Sequence, residues 1–401
     1  MKKSSNKLRP AFNRSMLLLV SLVVSFAVVE LSLRIFYPVY AYAAESQYDR
    51  STSRIWVRSR NSSYERQHPK TGKSHLVYHN NLALRQHRNF DDQAITSAIN
   101  LGFFGDSFLE NLRLPSPYSF NEPLDYLLNT HGKNVNVLNF GIDGYGTDQA
   151  FLYYRDFEYS GELDYVFYVF CANDLRNIYE NDLFSINADH ELVQNQAQNT
   201  PRWARLLSRF HTTYAIVDFF NEYSHGKRFH DERANFIEHA IITGLESEDL
   251  EKNITIFISL LHLWKQTVEE NGGVFSVVLL PRLDEHNARY LFPEEFHVIN
   301  LYEKFREDIA DYKFQDWSFE NDGHWNEAAN QLVATYLYRE LEEKMGLQPI
   351  SSDKLKKETF TYYSSFEGWM PDGYLLSEVE VDSRKREEVK SKYNSIAKDT
   401  H

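Results

Sequence analysis

The sequence predicts an α/β protein: a three-layer α/β/α sandwich around a mainly parallel sheet, with an N-terminal transmembrane helix. Three observations carry this. First, Leu101–Phe104, Asn134–Phe140 and Asp164–Phe170 are apolar runs with the length of buried strands. Second, helix-compatible stretches separate them, about Ser119–Leu128 and Gln149–Tyr159, and this alternation implies parallel pairing. Third, each run stops in a polar turn: Gly105-Asp106-Ser107, Asn139 to Gly144, and Asn173-Asp174. In a parallel sheet these turns share one edge, where open α/β sheets bind their ligands.

Composition narrows the function classes. A chain of 401 residues holds one large or two ordinary domains plus extras. With 42% hydrophobic and 25% charged residues it can bury a sizeable core. A formal net charge of −14 argues against nucleic acid, whose phosphates dominate such affinities. The single cysteine, Cys171, excludes an internal disulfide and a cysteine-based zinc site.

Residues 1–14 carry Lys2, Lys3, Lys7, Arg9 and Arg14 and no acid, and form a cytoplasmic basic N-terminus. Met16–Val29 is almost wholly apolar, and Leu31, Leu33, Ile35 and Phe36 continue it past Glu30 and Arg34. The run Met16–Tyr37 is long enough to span a bilayer. The basic flank stays cytoplasmic, so the remainder is expected in the periplasm or outside the cell. Residues 15–38 thus read as a transmembrane signal anchor. The rival is a signal peptide cleaved at Ala41-Tyr42-Ala43, but that site lies about a dozen residues past the densest apolar run. A buried core helix fits the basic cluster less well.

Residues 39–95 read as a polar linker with lead-in strands such as Leu76-Val77-Tyr78. His75 and His79 have metal-compatible spacing only on a helix, and the neighbouring Gly72, Asn80 and Asn81 favour a strand or loop. The order G-x-x-G-x-G at Gly141, Gly144 and Gly146 is not a dinucleotide fingerprint, and no P-loop lysine is present. Helices dominate the insertion at about 176–247, where Trp203, Leu206, Leu207, Phe210, Tyr214 and Val217 recur at helical spacing. Such a face packs on the core or caps a pocket. A helix at Asp249–Glu270 and a strand at Gly273–Leu280 follow, with Asp284 and His286 in the exit loop, where a strand end makes them rim candidates and a solvated loop is the favoured reading. Glu294–Tyr312 reads as a helix, Phe314–Phe319 as the last short strand, and Glu327–Lys344 as a helix. Residues 347–401 form a C-terminal strap and a charged tail.

The polar turns carry the chemistry. A serine hydroxyl is a weak nucleophile and needs an adjacent base, itself oriented by a carboxylate. Ser107 stands in the first of these turns; of Asp322 and Asn321, which precede His324, only Asp322 is a carboxylate. Glycine at 323 lets the chain fold Asp322 back onto the ring.

Four blocks in order, Gly105-Asp106-Ser107, Asn139-Phe140-Gly141-Ile142-Asp143-Gly144, Asn173-Asp174 and Asp322-Gly323-His324, resemble those of the SGNH/GDSL-type serine hydrolases. The longer strings G-D-S-F, G-Y-G-T-x-Q and D-G-H-W-N resemble a membrane-anchored bacterial subset. The resemblance spreads over about residues 100–325, within a hydrolase domain expected at 96–346, and implies a flavodoxin-like sheet without metal or cofactor. It implies Ser107 as nucleophile and His324 as base. The Ser107 and Gly144 N–H groups and the Asn173 amide become oxyanion-hole donors. One such donor is typically worth about 2.7–4 kcal/mol. Two departures stand out: Cys171 replaces the glycine of G-x-N-D, and the last block is D-x-H rather than D-x-x-H.

The implied function is a membrane-anchored hydrolase of O-acyl esters, most plausibly acetyl groups on envelope or exported polysaccharide. The same residues serve an O-acyltransferase, in which a sugar hydroxyl intercepts the acyl-serine. A non-catalytic carbohydrate-binding module on the same fold is the third reading. The expected partners are the membrane, through the N-terminal helix, and an acylated carbohydrate or other ester.

Overall fold

Every residue from Asn100 to Gly105 and from Val135 to Gly141 is buried, as strands covered on both faces must be. Successive side chains point to opposite faces, so each strand feeds two cores. Phe103, Val137, Phe167 and Val278 enter one, with helices Asn121–Thr130 and Glu327–Lys344. Phe104, Leu138, Tyr168 and Val277 enter the other, with helices Thr147–Asp156 and Glu248–Glu270. Trp264 is fully buried in the second core, its ring 5.6 Å from Phe104 and 5.4 Å from Tyr168 and Phe275. These are the three layers.

The structure, a computed structural model, describes residues 8–36, 48–51, 53–195, 210, 212–213, 248–309, 312–320 and 322–365. In chain order its strands are β1 Tyr48–Ser51, β2 Ile55–Arg58, β3 Ser62–Gln67, β4 Ser74–His79, β5 Ile99–Gly105 and β6 Val135–Gly141. Then come β7 Tyr165–Phe170, β8 Phe184–Ile186, β9 Leu192–Gln194, β10 Val274–Leu279 and β11 Val298–Asn300. The central sheet has the order β11-β10-β7-β5-β6, and every pairing in it is parallel. That is the flavodoxin-like order, in which the chain reverses its direction of travel between β5 and β7. The ligand crevice of such a sheet opens at that reversal. Antiparallel hairpins β1-β2 and β3-β4 precede the sheet.

The late elements differ from expectation. Instead of one helix over Glu294–Tyr312, β11 precedes a helix at Leu301–Asp308. Val298 and Ile299 pair with Val277 and Val278, and the Asn300 side chain caps the helix. Phe314–Phe319 is not a strand: Phe314–Trp317 is a 3-10 turn, and only Ser318 forms a bridge, to Trp325. Helices do not fill the start of the insertion either, since helix Asn173–Asn181 runs into the hairpin β8-β9. The strap contains a helix, Ser352–Ser364.

The chain divides into two units, Met1–Gln47 with Gln198–Glu232, and Tyr48–Ala197 with Arg233–His401. In the first, helix Leu8–Phe36 contains a stretch, Met16–Phe36, long and apolar enough to cross a membrane. Glu30 on this helix accepts from the Thr212 N–H and hydroxyl, each at 2.8 Å, and from Arg34. Phe210 meets Phe26 edge to face at 5.3 Å. Trp203, Leu206, Leu207, Tyr214 and Val217 lie outside the described residues, as does the tail beyond 365.

Asp148, in the first turn of its helix, is fully buried. Burial pushes its carboxyl up to about 7, against the Gln149 N–H and the Asn181 amide, which favour the charged form. An unfolded aspartate titrates at about 3.9. The folded state therefore holds the proton longer; the stability this brings is full below about pH 4 and lost as pH rises through about 7. Asp148→Asn removes the titration. Its gain in Tm over the natural chain should grow from acid to mildly alkaline pH in scanning calorimetry, and a gain independent of pH contradicts the argument.

Candidate active site

β5 ends at Gly105, and the Asp106 carboxylate caps a single helical turn, Ser107–Glu110, by accepting the Phe108 N–H at 3.0 Å. This turn lies directly against β6. A Cβ on Gly141 would stand 2.4 Å from the Glu110 nitrogen and 2.5 Å from Leu109 Cβ, so glycine is required there. Asn139 fastens the same contact. Its amide donates to the Leu109 carbonyl at 2.9 Å, and its own side-chain carbonyl accepts the Gly141 N–H at 2.9 Å.

His324 arrives from the far end of the chain, in the loop before helix Glu327–Lys344, which Asn326 caps. Gly323 has φ +77°, the left-handed region that favours glycine, and its N–H donates to the Phe319 carbonyl. The turn folds Asp322 back, so that His324 Nδ1–H donates to Asp322 Oδ1. The other ring nitrogen, Nε2, accepts from the Ser107 hydroxyl at 2.7 Å. Phe108 supports the ring by stacking at 4.7 Å. Serine, histidine and aspartate thus stand in hydrogen-bonded sequence. Asn321, the other residue considered as orienter, lies outside the described residues.

Two carboxyls flank this relay and are pushed in opposite directions. Asp106 is fully buried, and burial raises its carboxyl, outweighing the Phe108 N–H and the nearby His324 and Asn173 groups that favour charge. Burial also works against the charge on Asp322, but there the His324 hydrogen bond and the Arg113 guanidinium win and hold the carboxyl well below the usual range. Arg113 Nε donates to both Asp322 oxygens, at 3.1 and 3.2 Å.

Asn173 opens helix Asn173–Asn181 after β7, and its amide donates to Asp106 at 3.3 Å. A cavity of about 550 Å³ is lined by Ser107, Asn173, Asp322 and His324, and also by Arg176, Arg282, Asp284 and Phe314. Gly144 stands in the turn after β6, outside that lining, with its carbonyl accepting from the Asn177 amide at 3.2 Å. Arg282 lies between the rings of Phe108 and Phe314, 5.6 and 5.7 Å from their centroids. It pairs with Asp284 at 3.3 Å and with the fully buried Glu285 at 3.4 Å. Asp284 therefore belongs to the cavity wall rather than to a solvated loop. His286 bonds to Asn300 instead. Arg113, Arg176 and Arg282 carry no sequence signal, because none lies in a motif and each reaches the cavity or the relay by tertiary folding alone.

His75 and His79 sit on one face of β4 and are buried, bonded to the Leu112 carbonyl and to Glu110. Among the described residues no group of three or more potential metal ligands is found.

No protein-family profile matches the chain, and no curated protein does. Solved structures do. A lipase/acylhydrolase from Enterococcus faecalis is 14% identical and covers 63% of this chain and 100% of its own, with a TM-score of 0.34. A member of the lipolytic G-D-S-L family from Veillonella parvula is 17% identical over 61% of this chain and 97% of its own, TM-score 0.31. A variant of an acetyl xylan esterase from Geobacillus stearothermophilus is 12% identical over 63% of this chain and 97% of its own, TM-score 0.34.

Arg113 partly neutralises the carboxylate that serves the histidine. Arg113→Gln removes the guanidinium that helps hold the Asp322 carboxyl down, so that carboxyl should titrate higher than in the natural chain. A carboxyl-resolved NMR titration checks this, and an unmoved Asp322 contradicts a charge role for Arg113.

Proposed function

We propose that the protein is a serine hydrolase of the SGNH/GDSL type that cleaves O-acyl esters through an acyl-serine intermediate. The observation that carries this reading is the relay itself: Ser107 Oγ 2.7 Å from His324 Nε2, with His324 Nδ1 on the ionised Asp322. The chemistry follows from those contacts. As the Ser107 oxygen attacks the ester carbonyl, its proton passes to Nε2, and Asp322 stabilises the imidazolium. The Asn173 amide, with the Ser107 and Gly144 N–H groups, receives the developing oxyanion. Collapse of the tetrahedral intermediate returns the proton to the departing alcohol. Water, deprotonated by the same histidine, then releases the acid.

The substrate is an acetylated polysaccharide of the envelope or one exported from the cell. What supports this is a cavity with three charged side chains beside the relay, Arg176, Arg282 and Asp284, which suits a polar alcohol better than a long acyl chain. The apolar helix serves as an uncleaved anchor with the catalytic unit outside the cytoplasm. Alkaline phosphatase fused after His401 should be active in a bacterial host; an inactive fusion removes the envelope substrate.

Hydrolysis of p-nitrophenyl acetate tests the chemistry. Ser107→Ala and His324→Ala should each abolish turnover to a similar degree, and combining them should add little, because the members of such a unit act together. Asp322→Asn should lower kcat by up to about 10⁴ with the fold intact. Asn173→Ala should lower kcat by roughly 10²–10³ with little change in KM. Near-natural turnover by Ser107→Ala overturns the reading, and a raised KM with unchanged kcat in Asn173→Ala makes that residue a substrate contact instead.

A further inference from the structure

Glu110 lies three residues after Ser107 on the same helical turn, and it is fully buried. Four donors converge on its carboxylate. Arg58 gives two, Nε at 2.6 Å to one oxygen and Nη2 at 2.7 Å to the other. His79 Nε2 stands at 3.0 Å, and the Asp143 backbone N–H at 2.7 Å. Burial opposes the charge, but Arg58 and His79 outweigh it and hold the carboxyl well below the usual range. A buried carboxylate persists only with such complete pairing. The relay described above does not use it.

The donors come from three places: β2, β4, and the N–H of Asp143, the residue immediately before Gly144. The β1-β2 hairpin touches the chain after Gly144 at further points, from its turn residue Arg54 as well as from β2. The Tyr145 hydroxyl donates to the Trp56 carbonyl at 2.5 Å, and the Gln149 amide to the Arg54 carbonyl at 2.8 Å. The Trp56 ring packs on Tyr145 at 5.7 Å, and a Cβ on Gly144 would lie 3.6 Å from it. The lead-in hairpin thus backs residues 143–149, and Glu110 ties it to the nucleophile's turn.

We propose that Glu110 is a positioning residue, which with Arg58 of the lead-in hairpin sets the Gly144 N–H relative to Ser107 Oγ. The proposal rests on the serine-hydrolase reading. The carboxylate fixes the Asp143 amide, and therefore the peptide that follows it, to the turn that carries the nucleophile. Displacing an oxyanion donor weakens binding of the tetrahedral species and leaves ground-state binding nearly untouched.

The test uses the full chain, p-nitrophenyl acetate as substrate and phenylboronic acid as the probe that forms a tetrahedral adduct on Ser107. In Glu110→Gln, kcat should fall by roughly 10- to 100-fold while KM changes by less than about twofold. Affinity for the boronic acid should fall in parallel with kcat/KM. Arg58→Lys keeps the charge but loses the two-pronged contact, and should show the same pattern to a smaller degree. Where Glu110→Gln does not fold, judged by its melting curve, Arg58→Lys decides by the same measurements. A folded variant with unchanged kcat, or with reduced kcat and unchanged boronate affinity, overturns the proposal while the hydrolase reading stands. A natural chain that neither turns over the ester nor binds the boronic acid overturns both.

Discussion

No side chain separates the turn that carries Ser107 from the strand beside it. Gly141 presents bare backbone to Leu109 and Glu110, and the rest of the site follows from that contact. It places the Ser107 turn against β6 with no room to slide, and Asn139 locks it from the side with two hydrogen bonds. Because β5 sits between β6 and β7 in parallel register, the turns after all three strands emerge at one edge. Ser107 and Asn173 then line one cavity without any long loop having to reach across. A side chain at 141 would force the turn away by more than the tolerance of a hydrogen bond, and His324 could not follow because Gly323 and Asn326 fix its loop from the other face.

Electrostatics divides the acids near Ser107 by environment. Asp106, Asp174 and Asp148 are buried, and desolvation raises all three. Asp106 holds the backbone of the turn, and Asp174 accepts from the Tyr168 hydroxyl; these are structural tasks for carboxyls that give up charge easily. Asp322 is partly exposed and paired with Arg113, and keeps its charge. Glu110 is the exception, buried yet ionised, because an arginine fork, a histidine and a backbone N–H all meet it. Which carboxyls keep their charge is thus decided by neighbours, not by residue type.

The strands β5, β6, β7 and β10 were legible in the sequence because fully buried parallel strands read as unbroken apolar runs. The turns were legible because glycine and polar residues stop those runs abruptly. β11 was not, since three residues carry no periodicity and Leu301 to Phe305 continue its apolar pattern into a helix. Within the site, Ser107, Asn173, Asp322 and His324 could be named from motifs, and Gly323 could be read as the residue that folds the acid back. Arg58, Arg113, Arg282 and Glu110 could not be named. Their meaning lies in pairings between residues such as Arg58 and Glu110, 52 positions apart, or Arg113 and Asp322, 209 apart, and one sequence records no such pairing.

If His324 makes Ser107 nucleophilic and Ser107 forms the covalent intermediate, a fluorophosphonate reacts with the intact protein at that serine. Peptide mass spectrometry should then locate a single adduct on Ser107, formed rapidly in the natural chain and far more slowly in His324→Ala. An unlabelled Ser107, or equal labelling rates with and without the histidine, would rule out a histidine-activated serine.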